Sequence, residues 1–93
     1  MTKFIVRVEL RNSESANYDK LHKVMLEAGF YRFDDFEEQN FYLPNGEYVC
    51  YQGERTIAEI AQSAKRIAEN IKPNPKILVT ESAEIFQLGL DKY

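Results

Sequence analysis

Arg7, Glu9 and Arg11 are the first residues in this chain whose types and spacing suit chemistry. Two guanidiniums flanking a carboxylate can hold a phosphate and handle a proton, as cleavage of a phosphodiester requires. They lie in the row Phe4-Ile5-Val6-Arg7-Val8-Glu9-Leu10-Arg11. Phe4, Val6, Val8 and Leu10 share one parity, and Ile5 and the three charges share the other. Successive strand side chains point to opposite faces, so the row predicts a half-buried strand with an apolar floor and a charged second face. The same pattern also fits a solvated or dimer-facing strand knitted by cross-strand ion pairs.

His22 is the only histidine. It is a candidate general base, and the plainer reading places it beside the apolar stripe of a helix with one nitrogen hydrogen-bonded. A single histidine rules out paired-histidine metal sites. Asp34, Asp35, Glu37 and Glu38 have the hard oxygens a divalent cation prefers, but no calcium-loop spacing, so a solvated acidic loop is the expectation and no metal or cofactor is assigned. Cys50 has no His or Lys close in sequence to lower its pKa and is expected as a small buried hydrophobe. Tyr48-Val49-Cys50-Tyr51 resembles the aromatic end of an RNA-stacking strand, but Gly46 and Glu47 stand where that motif has its basic and glycine positions. Aromatic sheet core is the reading adopted for it.

These residues must be positioned by one domain spanning 1–93, since a chain of 93 residues has room for a single modest core. A net charge of −3 weighs against sequence-blind nucleic-acid binding while permitting a local basic patch. A lone cysteine suits a reducing compartment. No apolar run approaches a membrane span or a signal sequence, so a cytoplasmic protein without membrane insertion is expected.

Ser13, Ser15 and Asn17 offer N-caps for a first helix over 15–28, with Tyr18, Leu21, Val24, Met25 and Ala28 at helical spacing and Gly29 as the C-terminal cap. Phe30-Tyr31-Arg32-Phe33 reads as a second strand, interrupted by the acidic stretch 34–38. Phe41-Tyr42-Leu43 and Tyr48-Val49-Cys50-Tyr51 flank Asn45-Gly46, which predicts a hairpin with a type I′ turn. Thr56 and Glu59 form a capping box, and Ile57, Ile60, Ala61, Ala64, Ile67, Ala68 and Ile71 make a continuous apolar stripe on the second helix, ended by Pro73 and Pro75. Lys76-Ile77-Leu78-Val79-Thr80 is a further strand, and Phe86, Leu88 and Leu90 can line one side of a short fifth. The order β-α-β-β-α-β predicts an α+β, ferredoxin-like domain: a four-stranded antiparallel sheet with two helices on one face.

With that architecture, Phe4-Ile5-Val6-Arg7-Val8-Glu9-Leu10, the stretch 43–53, and Ile77-Leu78-Val79-Thr80-Glu81-Ser82 resemble the GhoS-like antitoxin family of bacteria over nearly the whole chain. The resemblance implies a ferredoxin-like fold akin to small CRISPR-associated nucleases, and binding or cleavage of single-stranded messenger RNA in a toxin–antitoxin system. Those nucleases carry an aspartate near the end of the first strand, where this chain has Glu9, Leu10 and Arg11, so no catalytic motif carries over. Two function classes therefore stand open. One is an RNA-binding protein that, if it is an endoribonuclease, uses Arg7 and Arg11 on phosphate and Glu9 as base. The other is a non-catalytic module whose open sheet face, or 85–90 tail, forms a homodimer or binds a protein partner.

Overall fold

The first strand, β1 (Lys3–Glu9), forms the middle of a sheet and explains most of the core. In this computed structural model, which describes residues 2–93, Phe4, Val6, Val8 and Leu10 are buried, as their shared parity predicts. Helix α1 (Ser15–Glu27) follows, then strands β2 (Phe33–Phe36), β3 (Gln39–Tyr42) and β4 (Glu47–Cys50), helix α2 (Ile57–Glu69) and strand β5 (Lys76–Ser82). The strands make two antiparallel sheets, one ordered β4-β1-β5 and one pairing β2 with β3. Leu21 and Met25 of α1 and Ile60, Ala64 and Ala68 of α2 pack on the Phe4–Val6–Val8 face, so both helices cover the same side.

The helix ends follow from local chemistry. Thr56 caps α2 through reciprocal bonds, Glu59 N–H to Thr56 Oγ1 at 3.1 Å and Thr56 N–H to Glu59 Oε1 at 2.8 Å. Glu14, rather than a serine, is the N-cap of α1, and the Asn17 side-chain oxygen accepts its N–H at 2.8 Å. Gly29, at φ +90°, closes α1 as Phe30 N–H reaches Met25 O and Gly29 N–H reaches Leu26 O. That paired closure needs a left-handed residue at this point.

The sheet has three strands where the sequence pattern predicts four. Only Tyr31 of the aromatic run meets the sheet, in a single bridge to Val49 on the outer side of β4. The chain then leaves and forms its own hairpin. Asn45-Gly46 is a turn, but it does not join paired strands: β3 pairs with β2, and β4 pairs with β1. Glu47 N–H closes the turn on Pro44 O, and only Gly46 has positive φ, at +83°. A two-residue type I′ hairpin needs positive φ at both central residues. Gly46 is nevertheless required, because Val8 N–H donates to its carbonyl at 2.7 Å and an added Cβ would lie 2.8 Å from Val8 O.

The true two-residue hairpin is at Glu37-Glu38, inside the acidic stretch expected to be a bulge or loop. Both residues have positive φ, 51° and 69°, and Phe36 pairs with Gln39 across them. A side chain in this region costs roughly 1–2 kcal/mol per residue. Replacing Glu37 with Asn and Glu38 with Gly should therefore stabilise the fold by about 1–2 kcal/mol, read as a higher urea midpoint. An unchanged or lower midpoint would show that the turn is not of this type.

The β2–β3 hairpin is pinned to the sheet. Asp34 is buried and accepts from Lys3 Nζ at 2.7 Å and from the Tyr51 hydroxyl. Residues 83–90 form no strand: Gly89 sits at φ +78°, and Phe86 and Leu88 are 81% and 83% exposed. Tyr42 N–H donates to Asp91 O and Tyr93 N–H to Asn40 O, which lays 91–93 along the outer edge of β3. Among the described residues no helix is long and apolar enough to cross a membrane.

Candidate active-site cleft

One polar cleft of about 490 Å³ opens where β1 runs past the start of β4. Ser15, Tyr18, Asp19 and His22 supply its helical wall, since positions three, four and seven apart share one face of α1. Arg7 and Glu9 come from β1, Arg32 from the segment after the Tyr31 bridge, and Asn45 and Gly46 from the turn that Val8 holds in place. Arg7, Glu9, His22 and Arg32 all line the cleft, but the Arg7 and Glu9 side chains project from the face of β1 opposite the helices, where Arg7 meets Glu47, whereas His22 stands with Tyr48 on the helix-covered face.

Arg11 is elsewhere. The strand ends at Glu9, and the Arg11 guanidinium donates through Nε to Asn74 O at 2.6 Å, so the expected Arg7–Glu9–Arg11 trio does not assemble around this cleft. The other two have surface partners: Arg7 with Glu47 at 3.8 Å and Glu9 with Lys76 at 3.5 Å. All but Glu47 are more than half exposed, and such pairs contribute well under about 1 kcal/mol, so they hold Arg7 and Glu9 only loosely. Lys23 and Arg32 pair with no carboxylate among the described residues.

His22 is tied to the core by a hydrogen bond across the cleft wall. Its Nδ1 lies 2.7 Å from the Tyr48 hydroxyl, which rises from the core side of β4. Burial pushes the imidazole pKa below its ordinary 6.5, Arg32 pushes the same way, and Asp19 opposes them. Burial raises the Tyr48 hydroxyl, so both partners are neutral near pH 7. The direction of this bond follows the tautomer: with Nδ1–H donating to Tyr48, Nε2 carries the free lone pair of a general base, and with the Tyr48 O–H donating to Nδ1, Nε2–H is a donor instead. This geometry includes the one hydrogen-bonded nitrogen expected from the sequence; the partner, 26 residues away, could not be read there.

The His22 shift has a consequence for stability. Above pH 6.5 both folded and unfolded chains hold the ring neutral, and the contribution is complete. As pH falls below that value the unfolded chain takes up a proton that the folded chain resists, so stability declines until the depressed folded pKa is passed. His22→Gln should flatten the slope of unfolding free energy against pH in this window, measured by urea titration. An identical slope in the variant would show that His22 is not buried in this way.

His22 and Arg32 also line a second, shallower cleft of about 340 Å³, completed by Lys23, Leu26, Phe33, Tyr42 and Tyr93. Phe33 stacks on Tyr93 with centroids 4.0 Å apart, Tyr42 lies 5.1 Å from Tyr93, and the Arg32 guanidinium sits 5.6 Å from the Tyr42 ring centre.

The remaining candidates are structural here. Cys50 is fully buried in β4, where burial raises its thiol. Asp34 is taken up by Lys3 and Tyr51, and among the described residues no three His, Cys, Asp or Glu side chains gather so as to hold a metal ion. Comparison with protein-family models, with curated proteins and with solved structures finds no match.

Proposed function

We propose that this protein is a GhoS-like, ferredoxin-like domain that binds single-stranded RNA and cleaves it, acting on messenger RNA in a toxin–antitoxin system. The sheet order β4-β1-β5 supports the ferredoxin-like reading, with the Tyr31–Val49 bridge standing where a fourth strand would add to β4. One observation carries the functional reading: His22 and Arg32 lie on the border of two clefts, one polar and one aromatic. A phosphate held there by Arg32 would place its neighbouring ribose beside a neutral imidazole.

The chemistry that fits is transfer of the phosphorus from the 5′-oxygen to the adjacent 2′-oxygen. In its Nδ1–H tautomer His22 takes the 2′-hydroxyl proton on Nε2, the new P–O bond forms, and the 5′-oxygen leaves and takes a proton from solvent water. Products are a 2′,3′-cyclic phosphate and a 5′-hydroxyl. Arg32 offsets charge developing on the non-bridging oxygens. Incubating the purified protein with single-stranded RNA, with and without a chelator, tests this reading. Cutting that survives the chelator is expected.

A non-catalytic dimerisation module is the second reading, and a specific observation favours it. Strand β5 is paired on one side only, Leu78 on it is 66% exposed, and Phe86 and Leu88 protrude nearby in sequence. Absence of both cutting and salt-sensitive binding, over several RNAs, would select this alternative.

A further inference from the structure

We propose that the cleft formed by Phe33, Tyr42 and Tyr93, with Lys23 and Arg32 at its rim, is a subsite for one unpaired nucleobase next to the bound phosphate. The proposal rests on the RNA reading above and adds to it the place where a base is held. Tyr42 and Tyr93 are 38% and 63% exposed, so ring surface remains available although Phe33 already stacks on Tyr93. Every base has a π-face, and an exposed tyrosine offers a stacking platform whatever the sequence.

Charge distinguishes this cleft from the molecule's other aromatic groove. The chain carries 15 acidic residues, yet no Asp or Glu side chain lines the Tyr42 cleft, where the cations Lys23 and Arg32 stand instead. The groove lined by Phe36, Phe41 and Phe86 contains Asp35 and Glu37, which would repel a phosphate. Arg32 also links the stacking surface to the cleavage cleft: its guanidinium lies over the Tyr42 ring and also lines the cleft beside His22. A base on Tyr42 therefore brings its own phosphate to Arg32.

The test is anisotropy titration of a labelled five-nucleotide single-stranded RNA and of versions with an abasic ribose at each position in turn. Wild type should bind one abasic version roughly 5- to 150-fold more weakly than the intact strand, the range set by stacking of one base. Tyr42→Ala should weaken the intact strand by a similar factor and lose sensitivity to that abasic position. Tyr42→Trp, folded alike by circular dichroism, should keep both. Equal binding of intact and all abasic strands by wild type would overturn the subsite and leave the RNA reading standing. Equal loss in Tyr42→Ala and Tyr42→Trp would also overturn it. No binding of any strand would overturn both.

Discussion

Ile60→Ala should lower the unfolding free energy by about 2–5 kcal/mol, the cost of lost transfer energy plus the cavity left behind. Ile60 is fully buried on α2, and its helix-face neighbours Ala64 and Ala68 are small side chains with little reach into the vacated space. The effect should therefore lie well above the bottom of that range. Ile57→Ala is the internal control. The sequence stripe treats the two isoleucines alike, but Ile57 is 45% exposed, and its replacement should cost less than about 1 kcal/mol. Urea unfolding of the two variants checks this directly. Similar losses at both positions would mean that α2 is rotated from the orientation described here.

The Ile57–Ile60 contrast illustrates what was legible in this chain. Periodicity identifies an element and its apolar face, and it did so for β1, α1 and α2; the Lys76–Thr80 part of β5 reads as a strand without an assigned face. It does not say how far a neighbour extends over that face, so the first turn of α2 reads as core although it lies at the edge. Pairing was harder still. Asn45-Gly46 carries the strongest local hairpin signal, yet Gly46 is committed to Val8 and the adjoining strands take other partners. Glu37-Glu38 carries no turn signal at all and forms the hairpin, because Lys3 and Tyr51 hold Asp34 and fix β2 against the sheet. Those contacts join residues 31 and 17 positions apart, which no local pattern reports.

The site was legible in the same uneven way. Arg7 and Glu9 follow from strand parity, and both line the cleft. Parity also assigned Arg11, but parity holds only while the strand continues, and β1 ends at Glu9. Arg32 and Tyr42 were read as strand residues without a role. Their importance comes from the chain leaving the main sheet after Tyr31, which turns Arg32 toward His22 and Tyr42. The one signal available was that the lone histidine sits on the same helical face as Ser15 and Tyr18.

His22→Gln should reduce RNA cleavage by about 10²–10⁴-fold while leaving affinity for the RNA largely intact. Glutamine retains a hydrogen-bonding group for Tyr48 but cannot accept the 2′-hydroxyl proton. Glu9→Gln separates the two candidate bases. If His22 is the base, the Glu9 variant should retain most of its rate, since Glu9 is an exposed side chain paired with Lys76. Arg32→Ala should instead weaken binding and lower the salt dependence of affinity by about one phosphate contact.

Single-turnover cleavage of one single-stranded RNA by wild type, His22→Gln and Glu9→Gln, in excess chelator and with analysis of the product ends, decides whether His22 is the base. The His22 assignment requires 2′,3′-cyclic phosphate and 5′-hydroxyl ends from wild type, a rate at least about 10²-fold lower for His22→Gln, and a near-normal rate for Glu9→Gln. Cleavage by His22→Gln at the wild-type rate, or no cleavage by wild type, would contradict it.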